Sequence, residues 1–254
     1  MHKLKYIIFG IMLSLFIIIP LFLVIQIYNG NYKFINSTSN TISHFTNGDF
    51  KQKEEQINDN LPPVGRLNNN KDGSHGTAFI IDDHTIITND HIINDASRNH
   101  LAFLPHRNSE NNSIIVPNQN THITNIHHIK NKDVAVLNTK ESLKPFGKIT
   151  LTSETPKVYD KTITYGYPDP RLNIKQINDS KMTKTTFTYI STKNKKGYVK
   201  GIIHPGASGS PMINKHNKAY GIATFRHSDD DPNELSGGYI FTPDLINKIN
   251  QYKY

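Results

Sequence analysis

Gly206-Ala207-Ser208-Gly209-Ser210-Pro211 is the stretch on which the reading of this chain turns. A serine with glycine two residues before it and one after can occupy a tight turn with its hydroxyl exposed. The glycines allow backbone conformations that side chains forbid, so N–H groups can point at a bound group. Such a turn suits a nucleophile beside an oxyanion hole. An ordinary Gly-Ser-Pro surface turn is the competing interpretation. Ser210 competes with Ser208 for the nucleophilic role, and the Gly206 offset favours Ser208.

Two upstream segments shift the balance. Gly76-Thr77-Ala78-Phe79-Ile80-Ile81 reads as a β-branched and aromatic strand, Asp82-Asp83-His84 as a turn, and Thr85-Ile86-Ile87-Thr88 as a second strand. His91 follows just past that strand's end, where a general base can reach a substrate. Further on, Asp133 opens the apolar run Val134-Ala135-Val136-Leu137. A carboxylate at the mouth of a buried strand needs a partner, and an imidazole N–H is one. Together the pieces complete the logic of acyl transfer. Ser208 attacks a carbonyl, His91 moves the proton, and Asp133 fixes the imidazole tautomer and stabilises its cation. The backbone N–H groups of Gly206 and Ser208 would hold the oxyanion. The chain order His, Asp, Ser differs from the Ser, Asp, His and Asp, His, Ser orders of two other triad architectures.

TNDHI, DVAVL and GASGSP resemble the three catalytic motifs of chymotrypsin-like serine proteases, most closely the glutamyl endopeptidase branch with its exfoliative-toxin and Spl-type relatives. Thr162–Pro168, Tyr220–Ala223, Leu235–Phe241 and Pro243–Asn247 are similar, in order, to later strands and the terminal helix of that branch. The resemblance spans residues 61–254. It implies an all-β fold of two six-stranded Greek-key barrels, over about 61–147 and 148–242, closed by a C-terminal helix at 243–253. It also implies peptide hydrolysis through an acyl-enzyme without a cofactor. Two departures matter. Ala207 stands where trypsin-type enzymes carry the aspartate that receives a new amino terminus, so that activation switch is not expected. Glutamate-specific relatives carry a pocket threonine five residues before the serine and a histidine on the following strand. Here those places hold Ile203 and Ala223 or Thr224, so strict glutamate specificity is not expected. An apolar or mixed primary pocket of Ile203, His204, Ala223, Thr224 and Phe225 is expected instead, although for His204 a surface position is the favoured reading.

The amino terminus stands apart. Tyr6–Ile27 is uncharged and long enough to cross a bilayer as a helix of about 20 residues. His2, Lys3 and Lys5 precede it, which places the rest of the chain outside the cytoplasm. Residues 1–28 therefore read as a signal anchor or signal peptide. The anchor is favoured because no small-x-small cleavage site follows. Residues 29–60 are polar and aperiodic and read as a linker or propeptide. The chain contains no cysteine, so no disulfide contributes to stability. The net charge is +8, but the positive residues are dispersed apart from Lys193–Lys200. That run reads as a solvated hairpin turn, and nucleic-acid binding is not expected. Thirteen histidines invite a metal site, with His122, His127 and His128 clustered, but no HExxH spacing occurs. Ser228–Glu234 lacks the pattern of a calcium loop.

The expected protein is a monomeric serine endopeptidase, membrane-anchored or secreted, acting on protein or peptide substrates. A quality-control protease of the HtrA kind without its PDZ domain, and a catalytically silent binding protein on the same fold, are the alternatives.

Overall fold

The computed structural model describes residues 52–57, 59–94, 96–106, 121–169, 181–226 and 235–254. The apolar segment Tyr6–Ile27 and the loop Ser228–Glu234 lie outside them. Among the described residues no helix is long and apolar enough to cross a membrane.

The first barrel is built from β2 (Val64–Asn69), β3 (Ser74–Asp82), β4 (Thr85–Thr88), β5 (Leu101–Pro105), β6 (Thr121–His128) and β7 (Ala135–Thr139). They close in the order β2-β3-β4-β7-β6-β5, all pairs antiparallel. The apolar runs behave as strands with two buried faces. Phe79, Ile87 and Val136 lie opposite one another across β3, β4 and β7, as do Ile80, Ile86 and Leu137. Because side chains alternate along a strand, the two rows point to opposite sides. Ile80, Ile86 and Leu137 fill the barrel with Leu67, Phe103 and Leu143. Phe79, Ile87 and Val136 face outward, where they meet Ile213, Ile222, Phe241, Leu245 and Ile249. The second row therefore cements the two halves together. Burying such side chains is worth about 1.5–3 kcal/mol each.

The second sheet comprises β8 (Lys161–Gly166), β9 (Thr183–Lys193), β10 (Lys196–Lys200), β11 (Pro211–Ile213), β12 (Ala219–Arg226) and β13 (Leu235–Ile240). Strand order β9-β10-β13-β12-β11-β8 closes through a β8–β9 pairing into a second six-stranded barrel. The same alternation recurs. Met212, Tyr220 and Ala223 enter this barrel with Phe187, Tyr189, Val199 and Ile203, while Ile213 and Ile222 join the core shared with the first barrel. Tyr220 is fully buried with its hydroxyl 3.1 Å from Thr162 Oγ1, and burial pushes its phenol far above the ordinary value. The lysine-rich turn connects β9 to β10 as expected. Lys193 pairs with Lys196, and both intervening residues take positive φ (Asn194 51°, Lys195 62°), the two-residue hairpin geometry that suits strand twist.

A further strand, β1 (Lys53–Gln56), pairs antiparallel with the first half of β9. The polar stretch read as linker or propeptide up to residue 60 thus becomes structured before that point. Its sequence has no apolar alternation to announce a strand, and the open edge of β9 gives its backbone groups partners.

The terminal helix occupies Pro243–Asn250, shorter than the expected 243–253. Thr242 Oγ1 caps it by accepting from Leu245 N–H, and Pro243 opens its first turn. Leu245 and Ile249 bury one face in the shared core. The residues beyond fasten to the first barrel instead: Asn138 Nδ2 donates to Tyr252 O at 2.9 Å, and the Tyr252 ring stacks on His127 at 4.4 Å.

Candidate active site

The catalytic candidates sit where strand ends converge. Thr88, the last residue of β4, lies opposite Ala135, the first of β7. His91 comes three residues after the former and Asp133 two before the latter, so both emerge at the same end of the first barrel. A single helical turn, α1 (Asp90–Ile93), follows β4. Its Ile92 and Ile93 are buried in the barrel core, which turns His91 outward with half of its side chain exposed. His91 Nδ1–H donates to Asp133 Oδ2 at 2.7 Å, and the His91 backbone N–H donates to Oδ1 at 2.9 Å. Burial pushes the Asp133 carboxyl up. The His91 side-chain hydrogen bond, the backbone amides of His91 and Asp90 and the imidazole charge outweigh it and hold the group below the ordinary carboxylate value. Asn89, fully buried, uses Nδ2 to bridge Asp133 O and Thr224 Oγ1, each at 2.8 Å. The acid of the first barrel is thereby tied to β12 of the second.

The serine turn lies between β10 and β11. Gly206 and Gly209 have φ of 84° and 88°. A Cβ on Gly206 would stand 2.4 Å from Tyr167 O, and one on Gly209 only 1.9 Å from Thr77 O. Both places therefore require glycine for conformation and for space. Gly209→Ala is expected to cost roughly 1–3 kcal/mol through backbone strain alone, read as a lowered thermal midpoint, with loss of any serine reactivity.

Ser210 is fully buried, and its hydroxyl donates to Ala207 O at 2.6 Å. Ser208 is partly exposed, so of the two serines it is Ser208 that reaches the surface. Among the described residues, neither the Gly206 nor the Ser208 amide donates to another backbone group. His91 and Asp133 are joined directly, whereas no hydrogen bond links His91 to Ser208 among the described residues. Such bonds are often long in unliganded sites and tighten in the substrate complex.

Thr77 is the organising residue that sequence reasoning missed. Its N–H donates to Ser208 O at 2.8 Å and its hydroxyl to Gly206 O at 2.9 Å, while Tyr167 N–H donates to that hydroxyl at 3.1 Å. Its carbonyl accepts from Thr88 Oγ1 at 2.7 Å. One buried threonine on β3 thus holds the serine turn against the first barrel. A threonine in a strand looks like any β-branched residue, and only its distant partners give it this role. Thr77→Val keeps the shape but removes the hydroxyl that donates to Gly206 O and accepts from Tyr167 N–H. It is expected to cost about 1–3 kcal/mol in chemical denaturation and to lower kcat more than it raises KM.

The trypsin-like peptidase domain profile matches residues 76–222, more than half of the chain, and spans His91, Asp133 and Ser208. The chain belongs to the trypsin-like peptidase family. Among solved structures this trypsin-like peptidase is similar to a Glu endopeptidase in complex with MPD, at 18% identity and a TM-score of 0.64, covering 78% of this chain and 95% of that one. It is also similar to an inactive form of the Rv3671c protease from M. tuberculosis H37Rv, at 16% identity and a TM-score of 0.54, covering 76% of this chain and 89% of that one. At such identities the likeness establishes the shared fold.

The residues expected around the primary pocket have diverse surroundings. Ile203 and Ala223 are buried together in the second barrel's core. Ile203 N–H donates to Ser236 Oγ at 2.8 Å. Thr224 is partly buried and turned to Asn89. His204 is 15% exposed with Nε2 3.3 Å from Glu54 Oε1. Phe225 belongs to β12, and its side chain lies outside the described residues. The histidine cluster on β6 disperses: His122 pairs with Glu141 at 2.7 Å, His127 stacks on Tyr252, and His128 pairs with Asp90 at 2.5 Å. Among the described residues no group of three potential ligands is placed to hold a metal ion.

Proposed function

We propose that this trypsin-like peptidase is a serine endopeptidase in which Ser208 is the nucleophile, His91 the general base and acid, and Asp133 the orienting carboxylate. The observation that carries the reading is the His91–Asp133 pair. Its Nδ1–H···Oδ2 bond holds the imidazole in the tautomer whose Nε2 is free to accept a proton. Ser208 Oγ attacks the scissile carbonyl as its proton passes to Nε2. The Gly206 and Ser208 amides stabilise the tetrahedral oxyanion, and collapse expels the amine with the proton returned by His91. Water then repeats the sequence on the acyl-enzyme. No step calls for a cofactor.

The primary pocket is apolar or mixed rather than strictly glutamate-directed. Burying a substrate carboxylate without donors is costly, and Ile203 and Ala223 supply none through their side chains. We further propose that the enzyme works as a monomer outside the cytoplasm, tethered by Tyr6–Ile27 or released after cleavage behind that segment. The apolar run and the preceding basic residues support this placement.

Labelling of the purified chain with a fluorophosphonate tests the chemistry. Stoichiometric modification at Ser208 that requires His91 supports the reading. A folded protein that does not react, yet still binds peptides, would instead be a silent binding protein. A peptide-library cleavage profile then reads the pocket.

A further inference from the structure

Strand β1 lies against the lead-in to the serine turn through its side chains as well as its backbone. Gln52, immediately before the strand, grips the Ile202 peptide from both sides. Its Nε2 donates to Ile202 O at 3.0 Å and its Oε1 accepts from Ile202 N–H at 2.6 Å. The same Nε2 donates to Glu54 Oε1, and Glu54 reaches His204 Nε2 at 3.3 Å. Gly201 makes room for this clamp. At φ 127° it has no side chain where a Cβ would lie 2.4 Å from Gln52 Oε1. The lead-in is coupled directly to the turn, because His204 O accepts from Ala207 N–H at 3.0 Å. Glu55 lies next to these residues on β1 but pairs with Lys184 on β9, away from the serine turn.

We propose that Gln52 and Glu54 are positioning residues of the active site, holding Gly201–Gly206 so that the Gly206 and Ser208 amides and the wall of the primary pocket are preformed. This inference rests on the serine peptidase reading for its kinetic consequence, but not for its structural one. It also means that Gln52–Gln56 belongs to the working enzyme and is not a propeptide to be discarded. Ordering a loop before substrate arrives removes a cost that binding would otherwise bear, and small displacements of catalytic groups lower rates by about 10²-fold.

The test compares full-length wild type with Gln52→Ala, Glu54→Ala and Glu55→Ala. Amide hydrogen exchange at Ala207 and the rate of fluorophosphonate labelling are both measured. Faster exchange at Ala207 is expected in the Gln52 and Glu54 variants, with unchanged exchange at Ile86 and Ile87 in the first barrel. Labelling is expected to slow by about 10–100-fold. Glu55→Ala should match wild type in both readouts. Unchanged Ala207 exchange in the first two variants overturns the proposal, as does an equal effect of Glu55→Ala, which would reduce β1 to general support. If wild type fails to label, the peptidase reading falls while the exchange measurement still decides the coupling. Finally, the mass of probe-labelled protein recovered from cells should include Gln52. An active species beginning after Ile57 would overturn the assignment.

Discussion

Ser208→Ala is expected to abolish fluorophosphonate labelling and to lower kcat by about 10⁶-fold, the scale seen when a triad nucleophile is removed. That corresponds to roughly 8 kcal/mol of transition-state stabilisation. The folded state should barely register the change. Ser208 is held through its backbone carbonyl, which accepts from Thr77 N–H, and alanine preserves that bond. Ser210 cannot take over, because its hydroxyl is buried and committed to Ala207 O. Thermal midpoints within about 1 °C of wild type, together with lost labelling, would locate the nucleophile. Labelling that survives in this variant would place the reactive group elsewhere.

Asp133→Asn is expected to lower kcat by about 10⁴-fold near neutral pH. The carboxylate accepts two N–H donors from His91, one from the ring and one from the backbone. An amide keeps one acceptor oxygen and puts an NH₂ donor where the second was. Where its NH₂ faces Nδ1, the ring is forced into the tautomer with Nε2 protonated, which cannot take the Ser208 proton. KM should move far less than kcat. A kcat within 10-fold of wild type would remove Asp133 from the mechanism.

The same carboxylate carries a pH signature in stability. Its folded-state value lies below the ordinary one, because its hydrogen bonds to His91 and to the amides outweigh the upward push of burial. The stabilisation is therefore present above the unfolded value of about 4. It is lost as pH falls through the lower folded value. Above pH of about 4 the group stays ionised, so an acid limb of activity at higher pH belongs to other groups. The Asp133→Asn variant should lose the carboxylate's part of the acid-induced decline in stability, measured by denaturant titration at pH 3 and pH 6.

Much of the architecture follows from local pattern. The β-branched runs at Gly76–Ile81 and Thr85–Thr88, the turn between them, the hairpin at Asn194-Lys195 and the capped helix after Thr242 are each specified by residues close in sequence. The positions of His91 and Asp133 at strand ends, and the tight turn that favours glycine at 206 and 209, follow from the same short-range chemistry, whereas the lack of space at those glycines is set by Tyr167 O and Thr77 O. What those segments could not supply is which distant groups meet. Thr77 reaches Gly206 across 129 positions and Asn89 reaches Thr224 across 135, and nothing local distinguishes either residue from its neighbours.

Sequence by itself held the three motifs in their order and the candidate triad residues, because strand ends and glycine turns are written in adjacent residues, and the expectation of two barrels came from the resemblance those motifs carry. Tertiary structure alone decided that Ser210 is buried, that Thr77 clasps the serine turn, and that Lys53–Gln56 leaves its polar stretch to become a strand. Those outcomes depend on hydrogen-bond partners that exist only after the second barrel has closed. An open edge on β9 and a glycine gap at residue 201 are products of the folded surface; the first gives the polar tetrapeptide Lys53–Gln56 a place to pair and the second makes room for the Gln52 side chain.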